Sequence, residues 1–202
     1  MMLNIYYARV DELPPGEGMA LSSYRREKNA RLRSEEKIRA GTGAEHLLCH
    51  ALNACGAGEA QPLEIICGAH GKPALKSGRM EFSLSHSGGW CAAAICDAPV
   101  GVDVQRLVPF NPALAKRFFT ADEQEYIASQ SDRDMAFTRI WGMKESYIKA
   151  LGLGLSMPLN SFSALELEAH IWHTALEACI LAVCVPTRTD IKPDIIEKLG
   201  LP

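Results

Sequence analysis

The sequence predicts an α+β protein in two halves, each reading as helices followed by strands. Three observations carry this expectation. Apolar spacing switches repeatedly between the helical and the strand period. An Asp97-Ala98-Pro99 break falls near the middle of the 202 residues. The composition, 48% hydrophobic and 22% charged, can fill one large core or two cores of about 100 residues each.

In order, Leu3–Arg9 alternates and reads as an opening strand. Pro14, Pro15, Gly16 and Gly18 mark a loop. Ser22–Leu52 carries apolar residues at Leu32, Ile38, Leu47, Leu48 and Leu52 and reads as two helices broken near Gly41-Thr42-Gly43. Leu63–Cys67 is a short strand, and Gly68–Gly78 is a loop containing Gly71-Lys72-Pro73. Phe82–Ser85 and Trp90–Asp97 read as buried strands joined by His86-Ser87-Gly88-Gly89.

Past the break, Val100–Leu107 reads as a strand, and Asn111–Phe119 and Ala121–Ser129 as helices. Thr120 with Glu123 has the spacing of a capping box. Arg133–Leu151 is the longest helical pattern, stopped by Gly152-Leu153-Gly154. Ser161–Leu167, Ala169–Leu176 and Ala178–Val185 read as an antiparallel meander, and the tail Pro186–Pro202 as a polar segment ending in a short helix. No residue-level repeat relates the halves.

The longest apolar run, near Ala178–Val185, is far below the ~20 residues needed to span a bilayer. Met1–Val10 lacks the basic and apolar regions of a signal peptide. The seven cysteines form no CxxC pair, which argues against a disulfide framework or a structural zinc site and for reduced thiols in a cytoplasmic protein. The net charge of −3 is uneven: Tyr24–Arg39 holds seven bases and three acids, leaving −7 elsewhere. A basic island on an acidic remainder points to a local anion site and not to general nucleic-acid binding, though a solvated helix face has the same charge run.

Three segments can carry chemistry. On a Val102-Asp103-Val104-Gln105 strand, Asp103 and Gln105 share one face and the valines the other. A carboxylate and an amide oxygen are both hard-cation ligands, though an edge-strand polar face has the same pattern. In Trp141–Lys149, Glu145 and Lys149 share a helix face, as any solvated ion pair would. Trp141, Tyr147 and Ile148 argue that this helix is largely buried, where ions need partners or a task. Ser85-His86-Ser87-Gly88 offers hydroxyls, an imidazole and turn N–H groups to a phosphate, or is a turn without a ligand. No GxxxxGK[ST], GxGxxG or GxSxG is present.

In their order, Gly71-Lys72-Pro73, Phe82–Gly88, Gly101–Gln105, Arg117–Glu123, Trp141–Lys149 and Gly152-Leu153-Gly154-Leu155 make the chain resemble the 4′-phosphopantetheinyl transferases of the surfactin-synthetase-activating (Sfp) type. The resemblance runs from about Lys28 to Phe162; each motif is weak and the ordered set is specific. It implies two similar α/β subdomains in a pseudo-duplicated fold with the site in the cleft between them. Residues 1–98 would bind the coenzyme A nucleotide and phosphates, and residues 99–202 would bind magnesium and carry the catalytic groups. It implies transfer of phosphopantetheine from coenzyme A to a serine of an apo acyl or peptidyl carrier protein, by a cytoplasmic monomer that binds neither nucleic acid nor membrane.

Carried over residue by residue, the resemblance makes Asp103 and Glu145 the Mg2+ ligands; the carrier serine must lose a proton, and Glu145, directly or through a metal-bound water, is the best-placed base. Lys149 stands beside the pyrophosphate. Ser85 and His86 contact coenzyme A phosphates, Lys72 and Pro73 form part of the adenine wall, and Lys28, Arg31 and Arg39 are bases around the nucleotide phosphates. Glu123 matches a second-half glutamate with no assigned role. Many relatives have Glu where this chain has Gln105. That departure predicts a working enzyme with weaker metal affinity, or else a decayed site in a non-catalytic coenzyme A- or carrier-binding regulatory protein. A magnesium-dependent nucleotide or pyrophosphate hydrolase would use the same residue types but does not explain the motif order.

Overall fold

A computed structural model describes residues 1–14, 20–187 and 191–200, apart from the Leu155 side chain. Pro15, Gly16 and Gly18 of the expected loop, and 188–190 and 201–202 of the tail, lie outside the described residues.

Strand β1 (Leu3–Arg9) is followed by helices α1 (Ser23–Ala30) and α2 (Glu35–Ala54). The helix break falls at Arg31–Ser34, not at Gly41-Thr42-Gly43 as the sequence suggested. The Ser34 hydroxyl accepts the Lys37 N–H and starts α2 there. The two glycines remain helical because close neighbours need their missing side chains. A Cβ at Gly43 would lie 2.9 Å from Leu13 Cδ1, and one at Gly41 would lie 2.4 Å from Arg25 Nη1.

Strands β2 (Ile65–Cys67) and β3 (Pro73–Leu75) pair as a ribbon within what the sequence read partly as loop. β4 (Glu81–Ser87) and β5 (Trp90–Cys96) form a hairpin whose turn is Gly88-Gly89, both at positive φ; His86 and Ser87 belong to β4 itself. β6 (Gly101–Arg106) leads into α3 (Pro112–Phe118), α4 (Ala121–Ser129) and α5 (Arg133–Leu151), and α5 ends at Gly152 in the left-handed conformation. β7 (His170–Leu176) and β8 (Cys179–Val185) form a hairpin; Ser161–Leu167 is not a strand. The tail ends in β9 (Ile195–Leu199) where a helix was expected.

Besides the β2-β3 ribbon, the described strands form two larger sheets, β4-β5-β1-β9 and β6-β8-β7. β9 runs parallel to β1 and covers an edge that β1 would otherwise leave open, so the chain end returns to the first sheet. Leu47, Leu48 and Leu52 of α2 pack with Tyr6, Phe82 and Ile95 on one face of the first sheet. The other face, through Leu3, Ile5, Ala92 and Ala94, packs on Val102, Val104, Leu181 and Val183 of the second sheet. α5 packs on β6 and β8 of the second sheet. Burial on both faces explains the unbroken apolar runs of β5 and β8. The order is thus helix, sheet, sheet, helix, a mixed α+β arrangement.

The edge strands of the two sheets meet at β4 and β6. Here Ser83, Ser85 and Ser87 hydroxyls accept the N–H groups of Val102, Val104 and Arg106 at 3.0, 3.0 and 3.2 Å. Side chains replace a backbone ladder, which spaces the strands apart and places the β4 motif beside the β6 carboxylate.

Candidate active site

A cavity of about 590 Å3 opens between α1, the start of α2, the β2–β3 turn, β4 and the end of α5. Six Lys and Arg side chains line it (Arg25, Lys28, Arg31, Lys37, Lys72 and Lys149), and no carboxylate is among its described lining residues. Arg25, Lys72 and Lys149 each have a carboxylate partner behind the wall (Glu45, Glu81 and Asp103), but the lining itself presents cations, which creates a positive potential suited to a polyanion. His86 stands among them. Partial burial, and then the charges of Arg25, Lys149, Lys28 and Lys37, hold its pKa below the ordinary imidazole value.

Each base has a local reason for its position. Arg25 is buried against α2, with Nε 3.7 Å from Glu45 Oε2 and its guanidinium over the Gly41 backbone. Glu45 is fully buried and also accepts the Ser22 N–H and Oγ–H at 2.7 and 2.8 Å. Lys28 Nζ lies 4.7 Å from the Tyr24 ring centroid. Lys72 Nζ donates to Ala150 O at 3.0 Å and to Glu81 Oε2 at 3.2 Å, closing the C-terminal end of α5. Its stem crosses Gly152, where a Cβ would be 3.1 Å from Lys72 Cδ.

Lys149 belongs both to the cavity and to a carboxylate cluster beside it. Its Nζ lies 2.7 Å from Asp103 Oδ1, 3.0 Å from Ser85 Oγ and 3.1 Å from Val102 O. Asp103 is 5% exposed and its Oδ2 is buried without a hydrogen-bond partner. Glu145, one turn earlier on α5, is half-buried. Burial, and then the Asp103 charge, raise its pKa, with Lys149 opposing. Gln105 shares the Asp103 face of β6, and its Nε2 makes a long 3.5 Å bond to Arg106 O.

These groups fit a hard divalent cation. An orphaned carboxylate oxygen, a second carboxylate whose ionised form is disfavoured, and an amide oxygen are all hard donors. Among the described residues no three His, Cys, Asp or Glu side chains converge on a metal position. Two carboxylates and an amide are oxygen donors of the type a hard cation takes together with other oxygen ligands.

A family model, the 4′-phosphopantetheinyl transferase superfamily, matches residues 99–181. The chain is 45% identical over 98 residues to the 4′-phosphopantetheinyl transferase psf-1 of Bacillus pumilus, covering 47% of this chain and 42% of that one. It is 40% identical over 97 residues to Sfp of Bacillus subtilis strain 168, covering 46% and 43%. With AcpT of Salmonella typhi it shares 33% identity over 141 residues, 67% of this chain and 73% of the relative. The chain belongs to the 4′-phosphopantetheinyl transferase family. Its matches span a little under half the length of the Bacillus family members.

Of the residues the sequence singled out in this family member, Lys28, Arg31, Lys72, Pro73, His86 and Lys149 line the cavity. Ser85, Asp103 and Lys149 are hydrogen-bonded together, with Glu145 beside them. Arg39 is exposed and outside the cavity, where its charge acts on Asp11. Sequence reasoning missed Arg25, Lys37 and Glu45. Arg25 and Lys37 lay in the basic island, but the misplaced helix break hid which bases turn inward. Glu45, an acid on the buried side of α2 opposite that island, was the available signal.

Glu123 gains a structural role. Its carboxylate lies 2.6 Å from Lys144 Nζ with both side chains fully buried, and it accepts the Thr120 and Ala164 N–H groups at 2.8 and 2.6 Å. Lys144 also donates to Phe162 O. These bonds occupy the 162–164 backbone that the sequence read as strand.

Proposed function

We propose that this protein transfers the 4′-phosphopantetheine group of coenzyme A to a serine of an apo acyl or peptidyl carrier protein, leaving adenosine 3′,5′-bisphosphate. The observation that carries the reading is a cavity lined by six cations, with no acid among its described lining residues, that shares Lys149 with the Asp103–Glu145 carboxylates. A nucleotide with a 3′-phosphate and a pyrophosphate matches those cations. Family membership supports the same activity. The non-catalytic alternative gains no support, because Asp103, Glu145, Lys149 and His86 remain and lie together.

The carrier serine oxygen attacks the phosphorus on the pantetheine side of the pyrophosphate. The new P–O bond forms as the bond to the bridging oxygen of the leaving bisphosphate breaks. Glu145, directly or through a metal-bound water, takes the serine proton. Lys149 offsets charge on the leaving bisphosphate, and the bases of α1 and α2 hold its phosphates. Asp103, Glu145 and Gln105 would hold Mg2+, which when bound offsets charge growing on the pyrophosphate oxygens.

In this reading residues 1–98 bring the nucleotide site and residues 99–202 the metal and proton-transfer groups. Coenzyme A is the co-substrate, the carrier a transient partner, and the protein a cytoplasmic monomer acting on neither nucleic acid nor membrane. Among the described residues no helix is long and apolar enough to cross a membrane. The test is the mass of an apo carrier protein incubated with coenzyme A, Mg2+ and this protein, across a panel of fatty-acid, polyketide and peptide carriers. One carrier should gain one phosphopantetheine. No gain on any carrier overturns the proposal.

A further inference from the structure

Ser85 differs from the other serines of the β4–β6 seam. Ser83 and Ser87 each take up one N–H group of β6. Ser85 is 7% exposed, and its hydroxyl accepts the Val104 N–H at 3.0 Å, accepts from Lys149 Nζ at 3.0 Å, and donates to Asp103 Oδ1 at 3.1 Å. A hydroxyl has one proton and two lone pairs. All three capacities are used inside the protein, so the side chain expected from the sequence to meet a phosphate has none left for one.

We infer that Ser85 is a positioning residue: it pins Asp103 Oδ1 and Lys149 Nζ to the seam between the two sheets, leaving Asp103 Oδ2 as the oxygen free to meet the cation. The inference rests on the transferase reading and deepens it. The anchor is rigid because Val104 N, the third partner of Ser85, is the backbone one residue past Asp103 itself. Strand β4 therefore sets the carboxylate that β6 carries. Without the hydroxyl, Asp103 keeps Lys149 but loses the bond that fixes which oxygen Lys149 occupies. The carboxylate can then turn both oxygens toward the ammonium.

The experiment compares Ser85→Thr, which keeps the hydroxyl and adds a methyl, with Ser85→Val, which has the shape of that threonine with a methyl in place of the hydroxyl, and with Ser87→Ala, which removes a seam bond to Arg106 N and none to Asp103. Mn2+ binding to the coenzyme A-saturated protein is read by electron paramagnetic resonance, alongside thermal melting. Ser85→Val should weaken Mn2+ by about tenfold or more, the scale seen when groups behind a metal ligand are removed. Ser85→Thr should stay near the wild-type value. Ser87→Ala should lower the melting temperature and leave Mn2+ affinity unchanged. If Ser85→Val does not fold, Ser85→Cys, with the shape of serine and a weaker donor, takes its place under the same criterion. Wild-type Mn2+ affinity in the hydroxyl-free variant, or an equal loss in Ser87→Ala, overturns the inference. The transferase reading fails separately, by absence of a carrier mass gain with the wild-type protein.

Discussion

Gly101 on β6 lies directly beneath the Ser146 carbonyl of α5: a Cβ at position 101 would stand 1.9 Å from that oxygen and 2.4 Å from Ala150 N. The approach is backbone on backbone, so no side-chain rotation can relieve it. It seats α5, with Glu145 and Lys149, against the strand that carries Asp103. Gly142 helps from the helix side, where a Cβ would meet Ala182 Cβ at 3.6 Å.

Gly101→Ala should therefore both destabilise the protein and separate the site groups. A loss of about 1–3 kcal/mol or more is expected from overpacking, seen as a lower urea midpoint. Carrier modification should fall further than the folded fraction does. Wild-type stability and rate would contradict the packing described.

Removing the proposed metal-binding carboxylates should abolish transfer while moving stability in opposite directions. Asp103→Ala takes the carboxylate from the Lys149 ammonium and the acceptor from the Ser85 hydroxyl proton, and should lower the melting temperature. Glu145→Gln removes a half-buried charge beside another carboxylate and should raise it in metal-free buffer. A raised pKa means that the folded state holds the Glu145 proton more tightly than the unfolded one, so its ionisation opposes folding as pH rises. Each variant should lose about 100-fold or more in rate, the scale of a major electrostatic contribution. Near-normal transfer by either would remove that residue from the mechanism.

Gln105→Glu should lower the Mg2+ concentration for half-maximal transfer. A third negative group facing the cation strengthens it at some desolvation cost, with an expected gain of about tenfold, roughly 1.4 kcal/mol. An unchanged magnesium titration would take position 105 out of the coordination shell.

Glu123→Gln or Lys144→Met should cost about 3–5 kcal/mol, because each leaves one fully buried ion unpaired. Thermal unfolding measures the loss. The double replacement should recover much of it, since no unpaired charge then remains.

Binding of a polyanion in the cavity should draw a proton onto His86. In the free protein its pKa is depressed by burial and by four neighbouring cations. Phosphates that offset those cations raise it, so coenzyme A affinity should increase as pH falls through the bound-state pKa and level off below the free-state one. Calorimetry near pH 6.5 in buffers of different ionisation enthalpy should show net proton uptake for the wild type, reduced in His86→Gln. The folding linkage has the same origin. His46, His86 and His173 all have folded pKa values below the unfolded value, which is about 6.5. The unfolded state binds more protons, so stability should drop as pH falls below that point.

The amino-acid sequence alone determined β1, α4 and α5 to the residue, the ordered motifs of the family, and the placement of Asp103 with Gln105 on one strand face. These depend on period, capping and spacing within a few residues, where near neighbours decide the conformation. Tertiary structure alone decided which bases enter the cavity, that Ser85 is saturated by Asp103 and Lys149, that Glu123 serves a buried lysine, and that the tail joins β1. Each of these links groups far apart in the chain, 64 residues for Lys149 with Ser85. Such contacts form where packed faces bring polar groups out of water together and every buried donor and acceptor must find a partner.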